Sequence, residues 1–286
     1  MISVAVSEAL DLPTVVEVRS LARWSEQKFD APQLNDHALL LITAQTAGLV
    51  HLLASDDARL VGYAQLEQDA SSSTVQIAAQ SGAVDALFAS AAERAGTKRG
   101  LRVWAHGRHS PVAPVAERLG MRRDRVLWQL RRPLTDLPAV RLPDGITIRA
   151  FVSGQDDDAW LAVNAAAFAT HAEQGRWTRA DLESRKAEAW FDASGFLLAE
   201  RGGQLAGFHW TKVHPDGPGE VYVLGVAPSA QGIGLGPALL AAGLEYLAGR
   251  GCAEVLLYSD ESNDVAMRLY ERVGFHRHDL DVQYVT

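Results

Sequence analysis

Apolar runs broken by short polar, glycine-bearing stretches organise the chain, and the second half shows the pattern most sharply. GFLLAE (195–200) and LAGFHWTKV (205–213) flank RGGQ, which predicts an antiparallel hairpin. EVYVLGV (220–226) reads as a strand. After a glycine loop, Leu240, Leu244 and Leu247 fall at helical spacing. Pro237 suits the first turn of that helix, where its missing N–H costs nothing, and Gly251 is its stop. EVLLY (254–258) is a buried strand, and SDESN (259–263) leads into a helix carrying Ala266, Leu269, Tyr270 and Val273. Gly274 ends that helix and FHRHDLDVQYV (275–285) is the last strand.

The first half repeats this order. ARLVGYAQL (58–66) resembles GQLAGFHWT (203–211), and STVQIAA (73–79) falls where GEVYVLGV (219–226) falls. LRVWAHGRHSPVAPVAERLGM (101–121) likewise resembles EVLLYSDESNDVAMRLYERVGF (254–275). Each half runs hairpin, strand, helix, strand, helix, strand, so the chain is read as a duplicated α/β domain. RRPLTDLPAVRLPDGI (131–146), with Pro133, Pro138 and Pro143, reads as an extended linker. The domains are set at 1–135 and 147–286, joined by 136–146.

At 286 residues the chain has room for two domains, and 48% hydrophobic with 22% charged residues is an ordinary globular balance. The net charge of −8 argues against nucleic-acid or anionic-membrane binding, and an anionic ligand needs a local site that overrides this field. No stretch is apolar for long enough to span a bilayer, and MISVAVSEALDLP has no signal-peptide features. Cys252, without a cysteine to pair with, suggests a reducing compartment. The expectation is a cytoplasmic monomer.

The loop between the strand 220–226 and the following helix holds Gly232, Gly234 and Gly236. It can be a flexible surface loop, or an anion site in which main-chain N–H groups and the helix dipole meet phosphate. A P-loop is excluded because no lysine follows, and the dinucleotide fingerprint fails because Pro237 stands where its last glycine belongs. Asp260, at the end of the next strand, is the one feature that suits a ribose ligand of that kind.

QGIGLG (231–236) resembles the loop of the GCN5-related N-acetyltransferases (GNAT family), and NDVAMRLYERVGF (263–275) resembles that family's second signature. Together they imply two tandem GNAT-like domains, each a mostly antiparallel mixed sheet flanked by helices. Acetyl-CoA would lie on Leu224, Gly225 and Val226, on Gln231, Gly232, Ile233, Gly234, Leu235, Gly236 and Pro237, and on Asn263, Asp264, Val265, Ala266, Met267 and Arg268. NAAAFATHAEQGRWT (164–178), EAWFD (188–192), GFHWTKVHPDGPGEVYVLGV (207–226), WAHG (104–107) and RRPL (131–134) further resemble the mycothiol synthases, tandem acetyltransferases that acetylate a cysteine–glucosamine–inositol conjugate.

A free α-amine titrates at about 7.7–8.0, so its acetylation needs only a modest base. Glu220, at the start of the strand leading to the loop, is expected as that base or as the ammonium anchor. Tyr270 is the candidate general acid for the leaving thiolate, and an N–H of Leu224–Val226 the candidate oxyanion donor. By the resemblance, Asp36, Glu173, Lys212, Glu220 and Tyr258 line the substrate pocket. His209, His214, His276 and His278 lack partners at ligand spacing, so no metal is expected. Asp156, Asp157 and Asp158 read as a helix start; Trp177, Trp190 and Trp210 as core or pocket wall. In the first half, AAQSGAV (78–84) has one glycine, His109 stands near the position of Asn263 and Ala116 falls opposite Tyr270. That half is expected to neither transfer acetyl groups nor bind acetyl-CoA through its amides. The rival functions are acetylation of another amine, such as an aminoglycoside or a protein N-terminus, and a non-catalytic acetyl-CoA sensor.

Overall fold

The computed structural model describes residues 2–69, 72–96, 100–169, 174–215 and 217–286. The elements in chain order are β1 (Ser3–Ser7), α1 (Leu12–Phe29), α2 (Asp36–Leu41), β2 (Leu49–Asp56), β3 (Arg59–Gln68), β4 (Ser72–Ala79), α3 (Ser81–Ala95), β5 (Gly100–His106), α4 (Val112–Arg118) and β6 (Arg122–Pro133). They continue with β7 (Ile146–Ala150), α5 (Asp157–Ala167), α6 (Arg179–Lys186), β8 (Phe196–Arg201), β9 (Gln204–Val213), β10 (Gly219–Val226), α7 (Leu235–Gly249), β11 (Glu254–Asp260), α8 (Asp264–Arg272) and β12 (His276–Val285).

Two compact units result. One comprises Met1–Trp128, Asp260–Ser262 and Asp279–Thr286; the other comprises Gln129–Ser259 and Asn263–His278. In the first, β1 to β4 pair antiparallel in sequence order. β5 then lies parallel to β4, and the end of β12 pairs antiparallel with β5, from Asp281↔His106 to Val285↔Arg102. The chain's last residues therefore complete this unit's sheet. Val282 and Tyr284 enter its core with Leu52, Ile77, Leu87 and Phe88.

The second unit has the antiparallel run β7–β8–β9–β10, with β11 parallel to β10. Arg131–Pro133, expected in the linker, belong to β6; Arg131 bonds Glu254 on β11 at 3.1 Å. Alternation along β9 sorts its side chains onto two faces. Gly207 and His209 meet α7, at Leu235 and Leu239 and at Gly243. Phe208 and Trp210 pack on Trp160 of α5, an aromatic core completed by Phe196, whose ring stacks on Trp210 at 4.3 Å. Trp210 is thus core, whereas Trp177 and Trp190 are only partly buried against it. Of the three aspartates read as a helix start, Asp157 does begin α5, but its carboxylate is buried and receives Arg179 and Lys186.

Candidate active site in the second unit

The β9–β10 hairpin sets Lys212 opposite Glu220. Its turn is closed by the His214 N–H donating to the Pro218 carbonyl at 3.0 Å. Lys212 and Glu220 are 6% and 8% exposed, unusual for charged groups unless paired. Glu220 Oε2 lies 2.7 Å from His214 Nε2 and 3.9 Å from Lys212 Nζ. The ammonium also sits 5.0 Å from the Trp190 ring centroid and 5.5 Å from that of Tyr222, within cation–π range. Arg185 of α6 donates from Nε to the Tyr222 hydroxyl at 3.1 Å and stacks over Trp177 at 3.8 Å. The wall beside the carboxylate is therefore aromatic and braced.

A register shift between Val221 and Val223 gives β10 an extra residue against β9. On its other side, β10 pairs with β11 only at Gly219↔Val255 and Glu220↔Leu256. Both strands run on, to Val226 and to Asp260. The ladder thus stops at Glu220, and Leu224, Gly225 and Val226 lie on the stretch beyond that pairing. A bulge that strengthens local twist is a recognised way to end pairing beside a site. Gly225 is required there: a Cβ on it would come within 2.8 Å of the Phe208 ring. Tyr258 follows the Glu220 partner Leu256 by two residues, so alternation places it on the same face. It is 38% exposed and its hydroxyl accepts from Gln129 Nε2 at 2.7 Å.

Past Val226 the chain makes a short turn at Pro228–Ala230 and reaches the glycine loop. Gln231, Gly232, Ile233, Gly234 and Pro237 are exposed. Gly232 and Gly234 have φ of +78° and +87°, and a Cβ on either would meet nothing. Gly234 is the N-cap of α7 and supplies no side-chain cap, so the first N–H groups of the helix face outward without a side-chain acceptor. Leu235 is buried with Leu239, so its side chain anchors the helix start and only its main chain is on offer. Gly236 has a negative φ and lies in ordinary contact with Val226.

Asn263 caps α8, its Oδ1 accepting from the Ala266 N–H at 3.2 Å. Asp264, Val265 and Arg268 are exposed, Ala266 is half-buried, and Met267 turns its side chain into the protein. Tyr270 lies on the same inward stripe, its ring edge-on to Phe275 at 5.7 Å. Burial pushes the Tyr270 hydroxyl up to about 12, so it stays protonated through the neutral range.

The structure thus brings Lys212 and Glu220 together, with Tyr258 on the neighbouring strand. Glu173 lies outside the described residues. Asp36 is in the other unit, in the first turn of α2. His214, Tyr222 and Arg185 were not singled out for this site from sequence, whereas Trp190 was read as core or pocket wall. The signal for His214 was there, since the period of two in Lys212–Val213–His214 gives the outer pair one face. His209 faces away from this site: it is fully enclosed, its Nδ1 lies 2.8 Å from the Leu239 carbonyl, and burial lowers its pKa to about 4. Among the described residues no three His, Cys, Asp or Glu side chains form a metal-binding group. Nor is any helix of those residues long and apolar enough to cross a membrane.

The sequence model of the acetyltransferase (GNAT) family matches residues 164–275, the part of the second unit just described. A mycothiol acetyltransferase of Salinispora arenicola is 50% identical, covering 97% of this chain and 95% of its own. A mycothiol acetyltransferase of Thermomonospora curvata is 48% identical with the same coverages. Among solved structures, a tandem GNAT protein from the clavulanic acid biosynthesis pathway covers 100% of this chain and 98% of its own, with a TM-score of 0.75 at 19% identity. A GCN5-related N-acetyltransferase from Sphaerobacter thermophilus gives a TM-score of 0.71 at 21% identity, covering 99% and 95%. Those two structures share the fold, and the identity to the first two proteins settles the kinship: the chain belongs to the GNAT family of acetyltransferases, among the mycothiol acetyltransferases.

Proposed function

We infer that the chain is an acetyl-CoA-dependent N-acetyltransferase that acetylates the cysteinyl amine of a cysteine–glucosamine–inositol conjugate to give mycothiol, and that it does so in the cytoplasm. The observation that carries this reading is the layout of β10, with a buried carboxylate at one end and an open amide loop at the other. From Glu220 to Val226 the strand covers about 20 Å. A ligand using both ends is long and thin, anionic at one end and reactive at the other. Acetyl-CoA has that form. The loop fits its diphosphate: amides at the start of α7 are uncapped, and Gly232 and Gly234 leave open space where side chains would stand. The unpaired edge of β10 from Val221 onward offers N–H and C=O groups to the pantetheine amides in the manner of an added strand.

When bound, acetyl-CoA supplies an acyl group on a thiol leaving group. Glu220 Oε2 is held by His214, which leaves Oε1 to take a proton from the substrate ammonium directly or through water. Lys212, beside it, serves sugar or inositol oxygens as a donor and balances the carboxylate. Tyr258 and Glu173 are assigned to the same substrate. Tyr270 keeps its proton at neutral pH and is assigned to deliver it to the departing sulfur. Catalysis is assigned to the second unit because the first has buried Ala116 at the position corresponding to Tyr270. There α3 also begins after Gln80, without a left-handed glycine.

The test is mass spectrometry of the product formed from acetyl-CoA and cysteinyl-glucosaminyl-inositol, alongside a panel of other amines. Acetylation of the conjugate well above every other amine is expected; preference for an aminoglycoside or a peptide N-terminus would reject the substrate. Glu220→Gln combined with Tyr270→Phe is expected to abolish turnover while acetyl-CoA binding, read by calorimetry, persists. Unchanged turnover would refute both roles.

A further inference from the structure

The mechanism needs Glu220 to present one particular oxygen, yet its carboxylate has two cationic or donor neighbours competing for it. Lys212 Nζ stands 3.9 Å from Oε2, beyond hydrogen-bond reach, while His214 Nε2 is at 2.7 Å from the same oxygen. Among the described residues the His214 contact is the one hydrogen bond to this carboxylate. His214 is itself fixed. Its N–H bonds the Pro218 carbonyl at 3.0 Å, and its own carbonyl accepts from the Gly217 N–H at 3.1 Å. The imidazole therefore reaches Glu220 from a closed turn rather than from a free loop. Facing a carboxylate, Nε2 must carry hydrogen, so the tautomer is set as well.

The geometry points to His214 as the positioning residue for Glu220: it holds Oε2 away from Lys212 and leaves Oε1 aimed at the substrate amine. This rests on the assignment of Glu220 as the base or ammonium anchor. Without His214 the carboxylate has one strong neighbour left. A small rotation closes the 3.9 Å gap into a direct ion pair with Lys212. Both groups are buried and Lys212 lies against Trp190 and Tyr222, where such a pair is hard to reopen. The lone pairs meant for the amine would then be occupied, and Lys212 would lose its donors to the sugar.

A side chain that only shapes the turn makes no demand for a donor at Nε2, which separates the two roles. Steady-state kinetics with the conjugate and acetyl-CoA on His214→Ala, His214→Gln and His214→Phe reads the difference. Glutamine places an amide N–H near the position of Nε2, and phenylalanine keeps the ring without a donor. Loss of one charge-assisted hydrogen bond is expected to lower kcat roughly 10- to 100-fold in the Ala and Phe variants. KM for acetyl-CoA should stay within about twofold, and the Gln variant should recover most of kcat. If His214→Ala fails to fold, Phe against Gln carries the same contrast. Wild-type kcat in the Ala or Phe variant, or equal loss in Phe and Gln, would overturn the inference. Glu220→Gln is measured beside them. If it retains full turnover, the assignment of Glu220 fails and that of His214 falls with it. If it collapses while His214→Phe does not, only the role of His214 is lost.

Discussion

Replacing Gly234 by alanine tests the glycine loop with one carbon atom. Gly234 sits at φ +87° as the N-cap of α7, and a Cβ there meets nothing, so packing is not the issue. The cost is conformational. An L residue in the left-handed region is disfavoured by about 1–2 kcal/mol. That cost appears either as lower stability with the loop held in place, or as a loop that relaxes to negative φ and turns its amides elsewhere. In the second case the KM for acetyl-CoA rises by up to roughly tenfold, since about 1.4 kcal/mol is a factor of ten. Gly236 is the internal control, two residues away. Its φ is negative and an added Cβ would make only ordinary contact with Val226 at 3.8 Å. It lies inside the first turn of α7, where alanine is favoured over glycine by up to about 1 kcal/mol. Gly236→Ala should therefore raise the melting temperature while Gly234→Ala lowers it, and KM for acetyl-CoA should rise more in Gly234→Ala. Thermal melts and acetyl-CoA titrations of both variants suffice. If the two variants share one KM and one melting temperature, the left-handed backbone has no bearing on the cofactor loop.

Two other outcomes follow from buried groups. His209 has its pKa lowered from 6.5 to about 4 by burial, so the folded state keeps it neutral while the unfolded chain protonates it below 6.5. Its contribution is fully present above pH 6.5 and lost as pH falls towards 4, a difference of about 3 kcal/mol at about 1.4 kcal/mol per tenfold change in proton affinity. Urea unfolding from pH 7 to pH 4 should fall more steeply for the wild type than for His209→Gln, and parallel curves would contradict the account. Lys212→Met leaves the buried Glu220 carboxylate with His214 alone. At pH 7 it should lower stability by about 1–3 kcal/mol and raise KM for the conjugate, and a variant as stable as the wild type would show that the 3.9 Å pair contributes nothing.

Local chemistry made the framework of the second unit legible. The β8–β9 hairpin, the strand before the loop and the helix after it announce themselves through period-two alternation, period-four leucines and glycine stops. What stayed hidden depends on partners distant in sequence. Nothing in HRHDLDVQYV says that Asp281–Val285 pair with His106–Arg102 rather than with a strand nearby in sequence. Likewise Asp157 begins a helix as its acidic neighbours suggest, yet its buried ion pairs with Arg179 and Lys186 come from α6. At the site, Glu220 and Lys212 could be paired from the hairpin register. The same period puts His214 on the face of Lys212, but its contact with Glu220 also depends on the turn that closes through the Pro218 carbonyl, which the period does not give. Tyr270 was visible as a helix residue, but the burial that raises its pKa comes from tertiary packing, with Phe275 among its neighbours.

The two ends of β10 also explain how a chain of net charge −8 handles a strongly anionic cofactor. From Val221 to Pro237 there is no charged side chain. On the proposed reading, anion binding there falls to amides and to the dipole of a 15-residue helix, fixed partial charges that need no cationic side chain. The charged groups gather instead at the other end, where Lys212, His214 and Glu220 are confined between strands and aromatic rings. A lysine in the loop would add attraction for phosphate, but it would also stand on an exposed, mobile stem that a second anion could occupy. Main-chain amides hold their direction, and on the proposed reading that direction sets how far along β10 the acyl group arrives. With the acyl position fixed by backbone, the remaining freedom is the orientation of one carboxylate. If Glu220 is the base, a carboxylate that is buried, hydrogen-bonded by His214 and 3.9 Å from a competing ammonium is where such a site gains or loses its rate.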